Sequence, residues 1–366
     1  MLRILQSVNI MNRAGLETML MNYYRYMDRD IIQFDFLTHR ENSGDYDEEI
    51  VNLGGKIYHA PRLSVKSLKD YGQFLDNLFA LNNYSIIHSH IDSMSFFPLF
   101  FAKKNKVPVR IAHSHTTKLD FDSKFPVKFL AKLLIKNVTN VNCACSVNAG
   151  KFLFNNDNYL IIRNAIDVNK FQFDTSKRDI LRNKYNLKNK FVIGHVGRFC
   201  YIKNQTFLLD VFYEVLKKKD SSILILIGQG PDYDKILKKI SDLNIEDKVI
   251  IFTNRDDVQD FYQMMDIFIL PSLFEGLPLV AIEAQANGLP CIISSSVSSE
   301  VAVTDSVKFF NLNCSPLAWA DLILDTSLTR NSMCINQLRN NGYDIRVEAK
   351  KLESLYLNLY NGLTDF

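Results

Sequence analysis

The chain has 366 residues, of which 47% are hydrophobic and 23% charged, an ordinary globular composition that excludes a disordered or fibrous chain. This length exceeds the usual size of one domain, so we expect two domains with separate cores. The 43 basic and 40 acidic residues leave a net charge of only +3, which argues against a nucleic-acid-binding protein.

The sequence lacks the signals of a membrane-spanning or secreted protein. Its longest apolar run, residues 96–102, is far shorter than the roughly 18 residues that span a bilayer. Gln6, Asn9 and Asn12 interrupt the apolar residues at the N-terminus, so a secretory signal is not predicted. The six cysteines show neither paired nor regular spacing and are expected to be reduced thiols. We therefore expect a cytoplasmic protein.

Short apolar runs alternate with segments of helical periodicity along the whole chain, which is typical of parallel α/β sheets. In the first half, strands are predicted at residues 3–6, 33–37, 56–59, 85–88, 107–112 and 141–146. In the second half, they are predicted at residues 191–196, 222–227, 248–252, 267–270 and 290–294. The pattern predicts two doubly wound sheets.

The domain boundary is predicted near residue 165. An apolar strand ends in IIRNAID, residues 161–167, and a stretch rich in Asn, Lys and Asp follows it. Near the C-terminus, four residues recur at helical spacing and predict an amphipathic last helix: Leu352, Leu355, Tyr356 and Leu359. We therefore expect an N-terminal domain over 1–165, a C-terminal domain over 166–340, and a final helical segment, 341–366, that returns to the N-terminal domain.

The strongest candidate site is FEGLPLVAIEAQANGLP, residues 274–290, which follows a predicted strand. Glu275 is expected on the loop at the carboxyl end of that strand and Glu283 in the next helix, at the sheet edge where ligands bind. Carboxylates accept hydrogen bonds from vicinal hydroxyls, such as those of a sugar or a ribose. Two isolated glutamates would more often be surface charges, but the loop between them favours a nucleotide-sugar site. Its cradle of backbone amides comes from three residues: Gly276, Leu277 and Leu279.

A second candidate site is HVGRFCYIKNQT, residues 195–206, again a strand, a glycine turn and a helix start. Arg198 and Lys203 can direct two cations at one diphosphate, and the helix predicted to begin near Asn204 offers free amides. Alone, this pattern would indicate only an exposed loop with solvated cations. Together with the two glutamates, it favours binding of a nucleotide diphosphate.

These motifs resemble the family-four retaining glycosyltransferases of the GT-B fold, in particular those of bacterial capsular and exopolysaccharide synthesis. The motifs that carry the resemblance span nearly the whole chain: RAGLE, YSIIHSH, RIAHSHTT, ACSVNAGKFLF, IRNAID, GRFCYIKN, IGQGPD and the spaced glutamates. The resemblance implies two doubly wound Rossmann-like domains facing across a cleft, with the last helix packing back on the body. It also implies an N-terminal acceptor-binding domain and a C-terminal nucleotide-sugar-binding domain.

The resemblance also implies roles for the donor-site residues. Glu275 would hold hydroxyls of the donor sugar, and Glu283 would hold the ribose. Arg198 and Lys203 would neutralise the diphosphate of the leaving nucleotide. Gly15, in the first strand-to-helix loop, would lie under the diphosphate, although Ala14 replaces the first glycine of the usual pair. The remaining donor-site residues are Gly276, Leu277, Pro278 and Leu279.

Two H-x-H pairs end predicted strands of the N-terminal domain: His88 with His90 and His113 with His115. On a strand both rings of a pair face the same side, so a metal site has to be considered. We do not predict one, because a third or fourth ligand at suggestive spacing is lacking. The resemblance instead implies a histidine of RIAHSHTT near the sugar 6-hydroxyl. His115 matches best, and His113 remains the alternative.

Acidic triplets can mark a metal-diphosphate site, but those of this sequence do not, so we expect catalysis to be independent of metal. Four D-x-D triplets begin at Asp28, Asp45, Asp120 and Asp232. None directly ends a predicted buried strand, where a metal-diphosphate ligand would lie, so we interpret them as solvated turns or helix starts. In FTNRDDV, Asn254 stands where similar proteins often have glycine, near the expected position of the base.

Four lysines recur every four residues in the N-terminal domain: Lys124, Lys128, Lys132 and Lys136. Apolar residues fill the other faces, which predicts an amphipathic basic helix that could rest on anionic lipid. Residues 1–165 hold 20 basic and 15 acidic side chains, which favours the same interpretation. The alternative is an ordinary solvated helix.

The sequence therefore favours a retaining, metal-independent hexosyltransferase. Its donor would be a UDP-hexose or a UDP-N-acetylhexosamine, and its acceptor a lipid-linked saccharide in capsular or exopolysaccharide synthesis. The protein would be peripheral on the inner face of the cell membrane. The alternatives are a nucleotide-sugar epimerase or hydrolase of the same fold and a non-catalytic sugar-nucleotide-binding partner of another transferase.

Overall fold

The computed structural model describes residues 1–64, 67–119, 124–253 and 255–362. The chain forms two compact α/β units. Unit 1 comprises Met1–Ala165 together with the segment that begins at Asp344, and unit 2 comprises Ile166–Tyr343. The two ends of unit 2 lie side by side, because the Ile166 amide donates a 3.0 Å hydrogen bond to the Tyr343 carbonyl.

Unit 1 is built on a parallel seven-stranded sheet with the strand order β3-β2-β1-β4-β5-β6-β7. Its strands are β1 (Leu2–Val8), β2 (Ile32–Thr38), β3 (Ile57–His59), β4 (Ile86–Ser89), β5 (Val109–Ser114), β6 (Val141–Ala144) and β7 (Leu160–Ile161). The helices of its first 165 residues are α1 (Gly15–Tyr26), α2 (Asp47–Asn52), α3 (Leu68–Leu81), α4 (Phe96–Lys104), α5 (Phe125–Leu134) and α6 (Val147–Phe154). The central strands are buried because helices cover both faces of the sheet.

Unit 2 repeats this plan with a parallel six-stranded sheet in the order β10-β9-β8-β11-β12-β13. Its strands are β8 (Phe191–Val196), β9 (Ser222–Ile227), β10 (Val249–Phe252), β11 (Ile267–Leu270), β12 (Cys291–Ser294) and β13 (Val307–Phe310). Its helices are α7 (Val168–Phe171), α8 (Thr175–Lys184), α9 (Gln205–Lys218), α10 (Tyr233–Asp242), α11 (Val258–Met264), α12 (Leu279–Ala286), α13 (Pro316–Asp325) and α14 (Cys334–Asn340). Both strand orders reverse beside the first strand, as in doubly wound folds, so the predicted α/β class is confirmed.

The last helix, α15 (Ile345–Tyr360), belongs to unit 1. It buries Leu352, Tyr356 and Leu359 in that unit, which confirms the predicted amphipathic helix. The Glu353 carboxylate accepts a 3.1 Å hydrogen bond from the Asp28 backbone N–H, just after α1. This contact ties the end of the chain to its beginning.

The sequence pattern predicted no strand at β13, and it indicated β7 only as the apolar strand that ends in residues 161–167. Both lie at an edge of their sheet, and their residues are half-buried or exposed. An edge strand is covered less completely, so its apolar signal is weaker than that of a central strand. The other predicted strands correspond to β1–β6 and β8–β12, with small shifts at their ends.

Candidate active site

The loop after β8 carries Arg198 and Lys203 and is held in place by a neighbouring glycine loop. Gly228 and Gly230 follow β9 with positive φ angles of 151° and 158°. A Cβ atom on Gly228 would lie 2.0 Å from the Gly197 carbonyl oxygen, and one on Gly230 would lie 2.2 Å from the Phe199 carbonyl oxygen. Only glycine permits this approach of two backbones, so the IGQGPD motif shapes the loop that presents the cations.

Lys203 and Glu275 meet although 72 positions separate them. Each follows a strand of the same parallel sheet, β8 and β11, at its carboxyl end. The Lys203 Nζ lies 2.5 Å from Glu275 Oε2, and the Ser272 hydroxyl donates a 2.5 Å hydrogen bond to Glu275 Oε1. The side chains of Lys203 and Glu275 are only 16% and 13% exposed, so this ion pair is shielded from much of the solvent.

Backbone contacts fix the two loops against each other. The Leu273 amide donates a 2.8 Å hydrogen bond to the Ile202 carbonyl, and the Ser298 amide donates one of 3.2 Å to the Glu275 carbonyl. Asn204 adopts a left-handed conformation with a φ of 57° and precedes the first residue of α9, as the sequence predicted. Its side-chain amide donates to the Pro271 carbonyl. The pairing of Lys203 with Glu275 is therefore set by the backbone.

The ion pair retains capacity for a ligand. Each Glu275 oxygen accepts one hydrogen bond within the protein and can accept another, and the ammonium group has further protons to donate. Arg198 is exposed, and within the described ranges its guanidinium forms neither an ion pair nor a hydrogen bond. These groups can bind an anion and hydroxyl groups at one edge of the sheet.

Glu283 lies in α12, as predicted, and is half-buried. The Tyr262 hydroxyl, on α11, donates a 2.9 Å hydrogen bond to Glu283 Oε2. Burial raises the pKa of Glu283 to about 7, although the Tyr262 hydrogen bond and Lys170 oppose the rise. A half-buried carboxyl of this kind, when ionised, can accept hydrogen bonds from the hydroxyl groups of a ligand that displaces water.

Four residues connect the two glutamates and open α12: Gly276, Leu277, Pro278 and Leu279. Pro278 stands at the N-cap position, and Leu279 is the first residue of the helix. The helix therefore begins later than the first two amides of the predicted cradle. Leu277, Pro278 and Leu279 are buried, and Gly276 is partly exposed.

His195 has a structural position at the end of β8. Its ring is fully buried, with Nδ1 2.9 Å from the Ile269 carbonyl oxygen and Nε2 3.2 Å from the Gln205 side chain. Burial lowers the pKa of His195 to about 4, so the ring is neutral at pH 7. Gln205 also donates to the Arg198 carbonyl at 2.9 Å, which links the histidine to the loop.

In unit 1, Gly15 is the first residue of α1 and is exposed. Nothing in the described residues lies within 4 Å of a Cβ atom built on it. Ala14, at the N-cap position, makes no side-chain capping bond. The first amides of the helix are therefore accessible to an anion. Glu17, in the same turn, is buried, and burial raises its pKa to about 7.

The two H-x-H pairs of unit 1 meet in one cluster of four imidazoles. His88, His90 and His113 are buried, whereas His115 is partly exposed. The ring centroids within each pair are 4.1 Å and 4.0 Å apart, as expected for alternate residues that face one side of a sheet. His88 Nε2 lies 3.1 Å from His113 Nδ1, and His90 Nδ1 lies 3.0 Å from His115 Nε2.

This cluster corrects the statement that a third metal ligand is lacking. Ring nitrogens of His88, His90 and His113 lie within 4.8 Å of one another and could hold a metal ion. The sequence could not show this, because the pairs stand on separate strands that become neighbours only in the sheet. In the structure, however, the three residues use ring nitrogens for hydrogen bonds.

The basic stripe predicted along α5 is not what this helix exposes. Lys124 and Lys136 lie outside the helix, and Lys128 and Lys132 are half-buried within it. The Lys132 ammonium lies 4.1 Å from the centre of the Phe152 ring, and burial lowers its pKa. Lys128 and Lys132 are half-buried because the aliphatic part of a lysine side chain covers apolar surface. The exposed side is apolar instead, with Phe129 at 49%, Leu130 at 57% and Leu133 at 53% exposure.

The remaining acidic triplets do not join the candidate site. Asp28 and Asp45 lie in loops, where each accepts a hydrogen bond from a backbone amide. Asp232 immediately precedes α10. These positions agree with the predicted turns and helix starts. Asp120 and Asn254 lie outside the described residues.

Several polar residues that contact the predicted ones carry no role in the sequence analysis, and four of them are Ser272, Tyr262, Gln6 and Tyr356. Ser272 could have been found, because a hydroxyl three residues before Glu275 in a loop is within reach of it. The other three are distant in sequence from their partners and carry no local signal.

Comparison with known proteins identifies relatives over the whole chain. Residues 177–342 match the family model described as "Glycosyl transferases group 1". A Bacillus subtilis (strain 168) protein named as a glycosyltransferase, EpsF, is 33% identical over 99% of this chain and 97% of its own length. CapH of Staphylococcus aureus, named as a capsular polysaccharide biosynthesis glycosyltransferase, is 28% identical over 98% of this chain and 99% of its own.

A third relative and a solved structure extend the comparison. The Escherichia coli UDP-Gal:α-D-GlcNAc-diphosphoundecaprenol α-1,3-galactosyltransferase is 24% identical over 89% of this chain and 90% of its own. The crystal structure of Anabaena HepE in complex with UDP has a TM-score of 0.81 at 17% identity, covering 98% of this chain and 100% of HepE. The likeness to HepE shows that the two chains share a fold.

Proposed function

Because the chain belongs to the group 1 glycosyl transferases, we propose that it is a retaining hexosyltransferase that uses a UDP-linked hexose or N-acetylhexosamine. The acceptor in this proposal is a lipid-linked saccharide, and the product serves capsular or exopolysaccharide synthesis. The E. coli relative supports the donor and the acceptor, since its name specifies UDP-Gal and a diphosphoundecaprenol substrate. CapH supports the polysaccharide.

The observation that carries the proposal is the shielded contact of Lys203 with Glu275, made from the loop after β8 that also carries the exposed Arg198. In the proposal, Arg198 and Lys203 bind the donor diphosphate, and Glu275 accepts hydrogen bonds from hydroxyls of the donor sugar. Both cations can donate charge-assisted hydrogen bonds to the diphosphate oxygens, and the proposal includes no divalent metal. Glu283, which lies in α12 and accepts a hydrogen bond from Tyr262, would accept hydrogen bonds from the ribose.

Two residues of unit 1 have proposed roles of their own in binding the donor. Gly15 contributes an accessible amide at the start of α1, which would contact the diphosphate. His115, the partly exposed member of the histidine cluster, would contact a hydroxyl of the donor sugar. His113 is less suited to this role, because its ring is fully buried.

The surroundings of Glu275 support transfer without a covalent enzyme intermediate. Both of its oxygens are engaged, one by Lys203 and one by Ser272, which makes the carboxylate a poor nucleophile. In the proposed front-face transfer, the bond from the anomeric carbon to the diphosphate breaks, and the acceptor oxygen bonds to the same face. The acceptor proton leaves with the diphosphate. The rate gain comes from orientation and from stabilisation of the departing charge.

The function is tested by measuring release of UDP from a panel of UDP-sugars, with and without a lipid-linked acceptor extract, together with mass spectrometry of the products. The proposal expects release that depends on the acceptor and a glycolipid heavier by one sugar. Release without an acceptor would indicate a hydrolase, and conversion of the donor without release would indicate an epimerase. Binding of UDP-sugars with no turnover would indicate a non-catalytic partner.

We further propose that α5 is the contact with a membrane that carries the acceptor. None of the described helices is long and apolar enough to cross a bilayer. The exposed apolar side of α5 instead suits shallow insertion, and the neighbouring lysines suit anionic headgroups. A groove of 490 Å³ lies beside this helix and is lined by four apolar residues, two lysines and an asparagine: Phe96, Phe100, Leu134, Val138, Lys103, Lys104 and Asn137.

Vesicle sedimentation tests this contact. The wild-type protein is expected to sediment with anionic vesicles at low salt, and Phe129→Ser with Leu130→Ser is expected to reduce sedimentation strongly. Replacement of the four lysines with glutamine tests the charge contribution, about 1 kcal/mol for each lysine near the surface. Val347→Ser, an exposed apolar residue on α15, is the matched control and should not change sedimentation. Wild-type protein that ignores anionic vesicles at low salt would exclude the contact.

A further inference from the structure

The side-chain amide of Gln6 joins the two halves of the histidine cluster of unit 1. The Gln6 carbonyl oxygen lies 2.9 Å from His90 Nε2, and His90 Nδ1 lies 3.0 Å from His115 Nε2. On its other side, the Gln6 amide nitrogen lies 3.2 Å from the Tyr356 hydroxyl. Gln6 is fully buried in the central strand β1, so water does not compete for either contact.

The first arm of this network fixes two imidazole tautomers. His90 is buried, and both His90 and His115 pack against other imidazoles, which disfavours a charged ring, so both rings are neutral. A neutral imidazole has one N–H and one lone pair. Since the Gln6 carbonyl only accepts, His90 Nε2 carries the proton and its Nδ1 is bare. His115 Nε2 must then donate to His90, which leaves the lone pair of His115 on Nδ1.

The second arm follows the same rule. The Gln6 amide donates to Tyr356, whose pKa is raised by burial so that it keeps its proton. That proton is directed at His88 Nδ1, 2.7 Å away, so His88 carries its own proton on Nε2 and donates it to His113 Nδ1 at 3.1 Å. The arm ends at His113 Nε2, which is buried and has no hydrogen-bond partner among the described residues.

From this network we infer that Gln6 is a positioning residue, which fixes His115 in the Nε2–H tautomer and leaves its Nδ1 as a hydrogen-bond acceptor. The inference rests on the proposed function of His115, because an acceptor nitrogen there suits a sugar hydroxyl that donates its proton. The opposite tautomer would present an N–H and would suit a phosphate or carbonyl oxygen instead. Gln6 would thereby act on the donor sugar through His90 without touching it.

The orientation of the Gln6 amide selects between two consistent proton arrangements, and in the structure its carbonyl oxygen faces His90. If the Gln6 amide were rotated by 180°, its nitrogen would donate to His90 and every proton in both arms would move to the other ring nitrogen. Intermediate arrangements place two donors or two acceptors face to face, which leaves buried polar groups unsatisfied at about 1–3 kcal/mol each. Replacement of Gln6 by Met, which has a similar shape but neither donor nor acceptor, removes the coupling.

The tautomer is measured directly in protein labelled with ¹⁵N-histidine, by long-range ¹H–¹⁵N correlation spectra, with His115 assigned from the His115→Gln variant. Wild-type His115 should show a protonated Nε2 and a bare Nδ1, and Gln6→Met should convert this signal to a mixture. Gln33→Met is the matched control, because Gln33 is a buried glutamine on the adjacent strand β2 whose side chain bonds to Tyr24 and the Leu53 carbonyl. A protonated Nδ1 in the wild type, or no change in Gln6→Met, would overturn the inference.

Turnover separates this inference from the proposed function. In the acceptor-dependent assay, Gln6→Met should lower kcat by about tenfold, the effect of one hydrogen bond, with little change in donor KM. The double variant Gln6→Met/His115→Gln should lose no more than His115→Gln alone. A full additional loss would overturn the action of Gln6 through His115. Full activity of His115→Gln would instead refute the proposed role of His115, while the spectra still decide whether Gln6 sets its tautomer.

Discussion

The contrast between Glu275 and Glu283 gives the sharpest test of the proposed donor site. Both are replaced by glutamine, which keeps the shape and removes the charge. In the proposal, Glu275 touches the sugar that moves, whereas Glu283 touches a ribose that does not react. Contacts with the moving group strengthen in the transition state, and contacts with the ribose contribute equally before and during the reaction. We therefore expect different kinetic losses from the same chemical change.

The structure sets the size of each loss. Glu275→Gln removes a carboxylate that is only 13% exposed and leaves Lys203 without its partner. We expect kcat to fall roughly 10²- to 10³-fold, the loss typical of one preorganised electrostatic contact to a reacting group. Glu283→Gln keeps an oxygen that accepts from the Tyr262 hydroxyl and loses one charged acceptor. We expect donor KM to rise about tenfold, with kcat changed less than about threefold.

The assay measures initial rates against donor concentration with saturating acceptor, and thermal unfolding of both variants serves as the control. Since the folded-state pKa of Glu283 is raised to about 7, its contribution to stability is present below its unfolded pKa and is lost as pH rises through 7. Glutamine does not ionise, so Glu283→Gln does not lose stability in this way as pH rises. The variant should therefore melt at a higher temperature than wild type at pH 8. Equal losses of kcat with unchanged donor KM in both variants would refute the assignment.

Three further outcomes are expected. Binding of UDP-glucose, measured by calorimetry, should tighten as pH rises through about 7, because ribose hydroxyls favour ionised Glu283. The same dependence of affinity on pH in Glu283→Gln would contradict this cause. Transfer should continue in the presence of EDTA, and Arg198→Ala or Lys203→Ala should lower kcat because the charge of the departing diphosphate is less well compensated. Complete inhibition by EDTA that added metal reverses would argue against metal-independent transfer. Gly228→Ala should lower the free energy of unfolding by about 3 kcal/mol, since its Cβ would lie 2.0 Å from the Gly197 carbonyl oxygen. A melting temperature equal to that of wild type would show that the loops after β8 and β9 are not packed this closely.

Much of the fold could be predicted from the sequence because its signals are local. A buried parallel strand is a short apolar run, as in SILILI of β9, and its helices carry their own periodicity. The strand that escaped prediction, β13, and the strand indicated without bounds, β7, are short edge strands with a weaker apolar pattern. The amphipathic helix α15 was recognisable for the same local reason.

The residues of the proposed donor site could also be selected from local patterns, because each pair lies within one strand, loop and helix. Arg198 and Lys203 share the loop after β8, and Glu275 and Glu283 frame the start of α12. The contact between Lys203 and Glu275 has no local signal. It exists because β8 and β11 are neighbours in the sheet and end at the same edge.

The sequence determined which chemical groups stand at the ends of the strands, since strand and loop patterns are encoded over a few residues. Only the tertiary structure decided their partners. Gln6, His90, His115 and Tyr356 come from separate elements, and they meet because sheet order and the return of α15 bring them together. The exposed side of α5 was likewise undecidable from periodicity, which gives the angle between faces but not which face packs on the core. Burial is a property of what covers a surface, and that depends on residues far along the chain.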